Sequence, residues 1–122
     1  MPLLTLTSDI GHQDFLVGAV KGQLLQANTD FNIVDITHHL SPFNYPQAAY
    51  VCRNAIKNFP PGTFHLVLVN LFDEKPEHML LAEHNGHFIG CAYNCCLTMI
   101  LEEVPQKVVA LTLYKRQQKN TL

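Results

Sequence analysis

The 122-residue chain lacks the features that mark membrane, secreted and nucleic-acid-binding proteins. No apolar run approaches the ~18 residues that a membrane-spanning helix requires. Charged residues make up only 15% of the chain, the net charge is -2 and no basic block occurs, so we expect neither a membrane nor a nucleic-acid partner. The N-terminal Met-Pro-Leu-Leu-Thr has no basic or cleavage region of a signal peptide, and we therefore expect a cytoplasmic protein.

Two common nucleotide-binding motifs are also absent. Gly11 stands alone after the first apolar segment, so there is no dinucleotide fingerprint, and no Gly-Lys-Ser or Gly-Lys-Thr occurs. Gly18 and Gly22 are four residues apart, which predicts a helix face that packs closely against a neighbour. Lys21 is predicted to be a surface residue and not a phosphate ligand.

Cysteine and histidine spacings indicate neither a disulfide framework nor a metal site. The four cysteines are Cys52, Cys91, Cys95 and Cys96. We expect reduced thiols, with Cys52 and Cys96 in the core and Cys95 at a helix N-terminus. Neither the cysteines nor the seven histidines have a zinc-ligand spacing, so we predict no metal. His84 and His87 flank a turn and are predicted to be exposed.

Hydrophobic periodicity predicts an α/β fold. Strands are predicted over residues 3–7, 32–37, 63–69, 79–83, 87–91 and 107–114, and helices over 14–26, 46–58 and 94–101. The segment 63–69 is apolar almost throughout, which predicts cover on both faces of a parallel sheet, and Asn85-Gly86 predicts a hairpin. We therefore expect a three-layer sandwich, a mostly parallel central sheet with helices on both faces, in one domain over residues 1–114 with a polar tail, 115–122.

The segment 5–21 contains the strongest candidate site. Asp9 and Asp14 flank Gly11 where a buried strand turns towards a helix. Open α/β sheets bind ligands at the carboxyl ends of their strands, and a carboxylate can accept hydrogen bonds from two neighbouring ribose hydroxyls. The alternative is that Asp9 or Asp14 only caps the helix. Phe43, in the loop after the second strand, either stacks on a purine or packs onto the domain.

Four segments, taken in order, resemble one protein family. They are Thr-Leu-Thr-Ser-Asp-Ile-Gly at 5–11, Val-Gly-Ala-Val-Lys-Gly at 17–22, Val-Asp-Ile-Thr-His at 34–38 and Phe-Pro-Pro-Gly-Thr-Phe-His at 59–65. Together they look like the N-terminal domain of the S-adenosyl-L-methionine hydroxide adenosyltransferases, the family that includes the fluorinases and chlorinases. The resemblance extends over about residues 3–101.

The resemblance implies that water, or halide in the halogenases, attacks the ribose C5′ of S-adenosylmethionine and releases methionine. It implies no cofactor besides this substrate. It also implies a trimer whose sites lie between the N-terminal domain of one subunit and the C-terminal domain of the next. By position in the motifs, Asp9 binds the ribose hydroxyls, Phe43 lines the pocket and Asn94 belongs to a substrate-binding segment at 92–95.

The chain departs from the family pattern at two candidate catalytic positions. Asn70 and Glu77 stand where the family carries the acid and the arginine of its water-activating set. Asn70 cannot act as a carboxylate base and Glu77 reverses a charge, and the loss of general-base help typically costs ~10²- to 10⁴-fold in rate. We also expect the family's C-terminal domain, which supplies a histidine and much of the adenine pocket, to be absent.

Three hypotheses stay open from the sequence. The first is an S-adenosylmethionine hydrolase-like protein that is truncated to its N-terminal domain and impaired in catalysis. The second is a non-catalytic module that binds adenosine or S-adenosylmethionine. The third is an oligomeric remnant without a ligand.

Overall fold

Strands and helices alternate along the first half of the chain. The computed structural model of the protein describes residues 3–11, 15–41, 45–69, 78–92 and 107–112. Its elements are β1 Leu3–Ser8, α1 Leu16–Ala27, β2 Asn32–Thr37, α2 Tyr45–Ile56, β3 Phe64–Leu68, β4 His78–His84, β5 His87–Ala92 and β6 Lys107–Thr112. Each agrees in kind with the predicted element, and His78 begins β4 where a loop was expected. The predicted helix at 94–101, the tail at 115–122, Cys95 and Cys96 lie outside the described residues.

The strands form one mixed sheet in the order β2-β1-β3-β5-β4-β6. The pairs β1–β2, β1–β3 and β3–β5 are parallel, whereas β4 is antiparallel to both β5 and β6. The parallel half is built by the two β–α–β connections, and the antiparallel half by the tight turn that β4 and β5 share. The sequence therefore predicted correctly an α/β fold with a mostly parallel sheet.

The two helices contact different parts of the sheet. Helix α2 contributes to a cluster of buried side chains whose members are Leu40, Ala48, Ala49, Cys52, Val67, Val69, Ala82, Ile89 and Cys91. From α1, Lys21 reaches Asp35, whose partner across the β1–β2 pair is Leu6. Leu6 pairs with Leu66 and points to the same face as that residue, and Leu66 and Val67 are consecutive and point to opposite faces. Lys21 of α1 and the α2 cluster therefore contact opposite faces of the sheet. The complete three-layer arrangement stays a prediction.

Helix α1 begins later and packs more loosely than its sequence predicted. Its N-cap residue is Phe15, without a side-chain capping bond, so Asp9 does not occupy the N-cap position. Asp14 lies outside the described residues. A Cβ built at Gly18 or Gly22 meets nothing within 4 Å in the described structure, and both glycines are exposed. The predicted close packing through these glycines is therefore wrong, because Val17 is the helix's one buried residue.

Strand β3 is covered unequally on its two faces. Its burial alternates, with His65 and Val67 buried and Phe64, Leu66 and Leu68 half-buried. The predicted cover is therefore close to complete on the Val67 face, which packs with α2, and partial on the other face. No helix among the described residues has the length and apolar character that crossing a bilayer requires.

The β4–β5 hairpin forms where Asn85-Gly86 predicted it. Asn85 has φ 51° and Gly86 has φ 84°, and two consecutive residues with positive φ are what a two-residue type I′ turn requires. The prediction that His84 and His87 are exposed is wrong. His84 is 7% exposed and His87 is half-buried, because both point to the sheet face that carries Ile89 and Ala82.

A pair of histidines lies under this hairpin. His65 Nδ1 is 2.8 Å from Thr5 Oγ1, and His65 Nε2 is 3.1 Å from His87 Nδ1. The ring of Phe59 meets the His65 ring edge-on at 5.7 Å between centroids. Burial, followed by repulsion from His87, lowers the pKa of His65 to about 4, and burial also lowers the pKa of His87. His65 is therefore a neutral hydrogen-bonding group at physiological pH.

Replacement of His65 by Gln is expected to flatten the pH dependence of stability. The folded pKa of His65 lies below the unfolded value of 6.5, so the unfolded chain binds more protons between these values. Its contribution is complete above pH 6.5 and is lost as the pH falls to 4. The wild type should then lose about 3 kcal/mol more than His65→Gln between pH 7 and 4. Urea unfolding at a series of pH values measures this.

A matched control for this effect lies in the same strand. Val67→Ala removes buried apolar volume without a titrating group, so it should lower the free energy of unfolding by a similar amount at every pH. Parallel stability curves for the wild type and His65→Gln would contradict the burial-lowered pKa.

Candidate functional site

An irregularity in β2 places two polar side chains on one face of the sheet. The β1–β2 register passes from Leu6↔Asp35 to Thr7↔Thr37, so Ile36 is an extra residue in β2. In a regular strand, Asp35 and His38 are three residues apart and would point to opposite faces. A bulge shifts this alternation by one. It therefore brings His38 to the same side as Asp35, next to the end of β1.

A continuous chain of polar contacts runs from α1 to the end of β1. Lys21 Nζ lies 2.6 Å from Asp35 Oδ2, and His38 Nε2 lies 2.8 Å from Asp35 Oδ1. On the other side of the ring, His38 Nδ1 lies 2.5 Å from Ser8 Oγ. We call Lys21, Asp35, His38 and Ser8 the polar relay. It joins α1, β2 and β1 at the carboxyl ends of the two strands.

The relay passes from the surface into the interior. The side chains of Lys21 and Asp35 are about one third exposed, at 33% and 31%, whereas His38 is 1% exposed and Ser8 is 0% exposed. Burial would raise the pKa of the Asp35 carboxyl, but hydrogen bonds and charge attraction from Lys21 and His38 outweigh it and lower the pKa below its usual range. Asp35 is therefore a carboxylate at neutral pH, able only to accept hydrogen bonds.

The charge on Asp35 sets the direction of the hydrogen bond from His38. Because a carboxylate only accepts, Nε2 of His38 carries the hydrogen that lies between them. This contact orients the ring and places Nδ1 against the Ser8 hydroxyl. Ser8 Oγ also accepts a hydrogen bond from the main chain.

Three main-chain contacts hold the turn that contains Asp9. Ile10 N donates to Ser8 Oγ at 3.4 Å, Gly11 N donates to the His38 carbonyl at 2.6 Å, and Leu40 N donates to the Ser8 carbonyl at 3.3 Å. Gly11 has φ 74°, a conformation that glycine adopts without strain. Asp9 is half-buried between these anchors. We call residues 8–11 the Asp9 corner.

The order Ser8, His38, Asp35 matches the connectivity of a serine hydrolase triad, but the burial does not fit that chemistry. A nucleophilic hydroxyl must touch the substrate. Ser8 is fully buried, at 0% exposure. The three residues therefore act as a structural connection, and Asp9, which is half-buried, is the more exposed acid of the corner.

Four of the five residues predicted to form the site cannot be compared with the structure. Asp9 lies at the carboxyl end of β1, as predicted. Phe43, Asn70, Glu77 and Asn94 lie outside the described residues. Among the described residues, no group of three or more His, Cys, Asp or Glu side chains is arranged to hold a metal ion.

Sequence reasoning missed the contribution of Asp35 and His38. The pattern Val-Asp-Ile-Thr-His is typical of a strand end. Regular strand alternation predicts that the acid and the histidine point to opposite faces of the sheet. The signal that was available is the odd spacing itself. Two polar residues three apart at the end of a predicted strand share a face when a bulge lies between them.

Parallel strands joined through helices define an α/β protein, and here β1 ends in an anchored, acid-bearing turn. The chain matches the SAM hydroxide adenosyltransferase N-terminal domain over residues 4–122, and it belongs to that family.

Named relatives agree with this assignment. The chain is 31% identical over 108 residues to an (R)-S-adenosyl-L-methionine hydrolase of Methanocaldococcus jannaschii, covering 85% of this chain and 41% of that protein. It is 34% identical over 62 residues to a fluorinase of Nocardia brasiliensis, covering 51% of this chain and 21% of the fluorinase. The chain thus spans less than half the length of these relatives.

A solved structure has the same fold. The crystal structure of an uncharacterized conserved protein from Thermotoga maritima superposes with a TM-score of 0.78 at 28% identity, covering 88% of this chain and 42% of that one. The likeness supports the element order and the mixed sheet.

Two glycine substitutions are expected to change stability in opposite directions. Gly11→Ala forces a Cβ into a left-handed conformation and should cost about 1–2 kcal/mol. Gly18→Ala, at an exposed position inside α1, should instead stabilise by about 0.5–1 kcal/mol. Urea unfolding of both variants measures the difference, and a Gly11→Ala protein as stable as the wild type would contradict the strained turn.

Proposed function

We propose that this chain binds the adenosine part of S-adenosylmethionine at the Asp9 corner and acts in its hydrolysis to adenosine and methionine. The observation that carries the proposal is the position of Asp9, half-buried in an anchored turn at the carboxyl end of β1. A carboxylate there can accept hydrogen bonds from both hydroxyls of a ribose. The relative named (R)-S-adenosyl-L-methionine hydrolase supports the choice of substrate.

The topology supports the location of the site. The connections after β1 and β2, which are neighbours, lead to α1 and α2. We propose that these helices lie on opposite faces of a three-layer sandwich, which right-handed crossovers favour. In the order β2-β1-β3 the connections reverse direction at β1, so the carboxyl ends of β1 and β3 form the switch point, where open α/β sheets bind their ligands.

The proposed reaction places modest demands on the protein. A water oxygen forms a bond to C5′ of the ribose while the C5′–S bond breaks, the electron pair of that bond returns to sulfur as the neutral thioether of methionine, and one proton of the water passes to solvent. The positively charged sulfonium is already a good leaving group. The site therefore needs mainly to position the nucleophile and exclude bulk water.

The remaining site residues are part of the same proposal. Phe43 lines the adenosine pocket, Asn94 contributes to substrate binding, and Asn70 and Glu77 occupy the water-activating positions. A homotrimer and a cytoplasmic location also stay proposals, resting respectively on the family resemblance and on the sequence.

A non-catalytic adenosine-binding module is the second candidate. The identities of Asn70 and Glu77 favour it, because neither supplies the carboxylate base or the positive charge expected at its position. Such a module would retain the Asp9 corner without turnover.

Asp9→Asn is expected to abolish the preference for ribose over deoxyribose. Hydrogen bonds to a charged group contribute about 1.5–3 kcal/mol, so the wild type should bind adenosine at least about tenfold more tightly than 2′-deoxyadenosine. In Asp9→Asn the two ligands should bind nearly equally. Calorimetry with both nucleosides measures the ratio of their Kd values.

Asp30→Asn is the matched control for this experiment. Asp30 is an exposed acid in the turn after α1, so its replacement changes the net charge by the same amount and should keep the wild-type ratio. A wild type that fails to distinguish the two nucleosides would reject Asp9 as the ribose ligand.

Turnover separates the two candidate functions. We expect the wild type to release adenosine from S-adenosylmethionine slowly, and Asn70→Asp combined with Glu77→Arg to raise the rate by about tenfold or more, since general-base help is typically worth 10²- to 10⁴-fold. Chromatographic detection of adenosine against a heat-killed control measures both. Tight binding without adenosine from either protein would favour the non-catalytic module.

A further inference from the structure

We infer that Ser8, His38 and Asp35 are positioning residues that set the orientation of Asp9 for the two ribose hydroxyls. This inference rests on the proposed function, because it concerns how the same corner selects its ligand. None of the three residues needs to touch the ligand. They act through the main chain on either side of Asp9.

The two contacts of Asp35 orient the His38 ring. Asp35 lies 2.6 Å from Lys21 Nζ and 2.8 Å from His38 Nε2, and each contact uses a different carboxylate oxygen. This fixes a hydrogen on Nε2 and holds Nδ1 at 2.5 Å from Ser8 Oγ. The position of the Ser8 side chain is thus set by His38.

Ser8 in turn contacts the main chain around Asp9. Its Oγ, held by His38, accepts a hydrogen bond from the Ile10 amide at 3.4 Å. The Ser8 carbonyl and the Gly11 amide are tied to Leu40 and His38. The Ser8–Asp9 peptide and the Ile10–Gly11 peptide, one on either side of the Asp9–Ile10 peptide, are therefore tied to residues 38–40, directly after β2. A shift of His38 would be transmitted directly to the carboxylate of Asp9.

A second hydroxyl–histidine pair on the same strand provides the comparison. Thr5 Oγ1 and His65 Nδ1 are 2.8 Å apart, and both residues are buried. Thr5 is three residues before Ser8, so it points to the opposite face of the sheet. Its pair joins β1 to β3 and makes no contact with the Asp9 corner in the described structure. The two pairs form the same kind of hydrogen bond, but one joins two strands of the sheet and the other contacts the Asp9 corner.

The test compares variants by the ratio of the Kd for 2′-deoxyadenosine to the Kd for adenosine. Ser8→Ala removes the hydroxyl and should reduce this ratio about threefold or more, within the range found for residues that act through neighbours. Asp35→Asn should reduce it as well, because its amide lets the ring turn over and reverse the relay. The matched controls Thr5→Val and Asp30→Asn should keep the wild-type ratio even where they change stability.

Each pattern of results has one meaning. Loss of discrimination in Asp9→Asn, Ser8→Ala and Asp35→Asn, with both controls unchanged, supports the inference. If Asp9→Asn loses discrimination but Ser8→Ala and Asp35→Asn keep it, the inference is overturned and the proposed function stands. If the wild type does not discriminate, the proposed function itself fails. An equal loss of discrimination in Thr5→Val would show that general destabilisation causes the loss in Ser8→Ala, and it would overturn the inference.

Amide hydrogen exchange gives a readout that does not need a ligand. In Ser8→Ala the amides of Gly11 and Leu40 should exchange at least about tenfold faster, while that of Phe88, which donates to Thr63 at 3.0 Å, should keep its rate. The reverse pattern is expected in Thr5→Val. Unchanged exchange at Gly11 in Ser8→Ala would overturn the inference.

Discussion

The hydrogen bond between Ser8 and His38 is the contact on which the candidate site depends. It is buried and joins residues 30 apart in sequence, at the ends of two parallel strands. The bulge at Ile36 makes it possible, because without the extra residue His38 would face the other side of the sheet. A local departure from regular strand geometry therefore decides how the Asp9 turn is held.

Strand β1 carries two buried hydroxyl–imidazole pairs that stabilise different parts of the protein. The Thr5–His65 pair lies under the hairpin, where burial keeps the ring neutral, and it contributes to the packing of β1 against β3. The Ser8–His38 pair is extended to the surface by Asp35 and Lys21. The same interaction thus supports the sheet on one face and a candidate ligand site on the other.

The sequence predicted the elements well because their signals are local. The apolar residues of β2 and the Asn85-Gly86 turn both appear within a few residues, and the strand and the turn are both confirmed. The errors arose where distant residues decide the outcome. His84 and His87 are covered although they flank a turn, and Gly18 and Gly22 face no neighbour in the described structure. In the candidate site, the position of Asp9 at a strand end could be predicted from the preceding strand. The position of His38 could not, because it depends on a bulge that the hydrophobic periodicity does not reveal.

The arrangement of the Asp9 corner also bears on the order in which the chain assembles. Every contact described for the corner lies within the first 41 residues. The hydrogen bond of Thr5, in contrast, can form only after His65 has been synthesised. Doubling the closed loop, from 30 to 60 residues, adds only about 0.6 kcal/mol of entropy cost, so timing during synthesis matters more than loop length. The strand pair β1–β2 and its relay emerge from the ribosome before β3 does. Leu40, which is 6% exposed and packs with α2, then fixes the nascent corner when the rest of the sheet arrives.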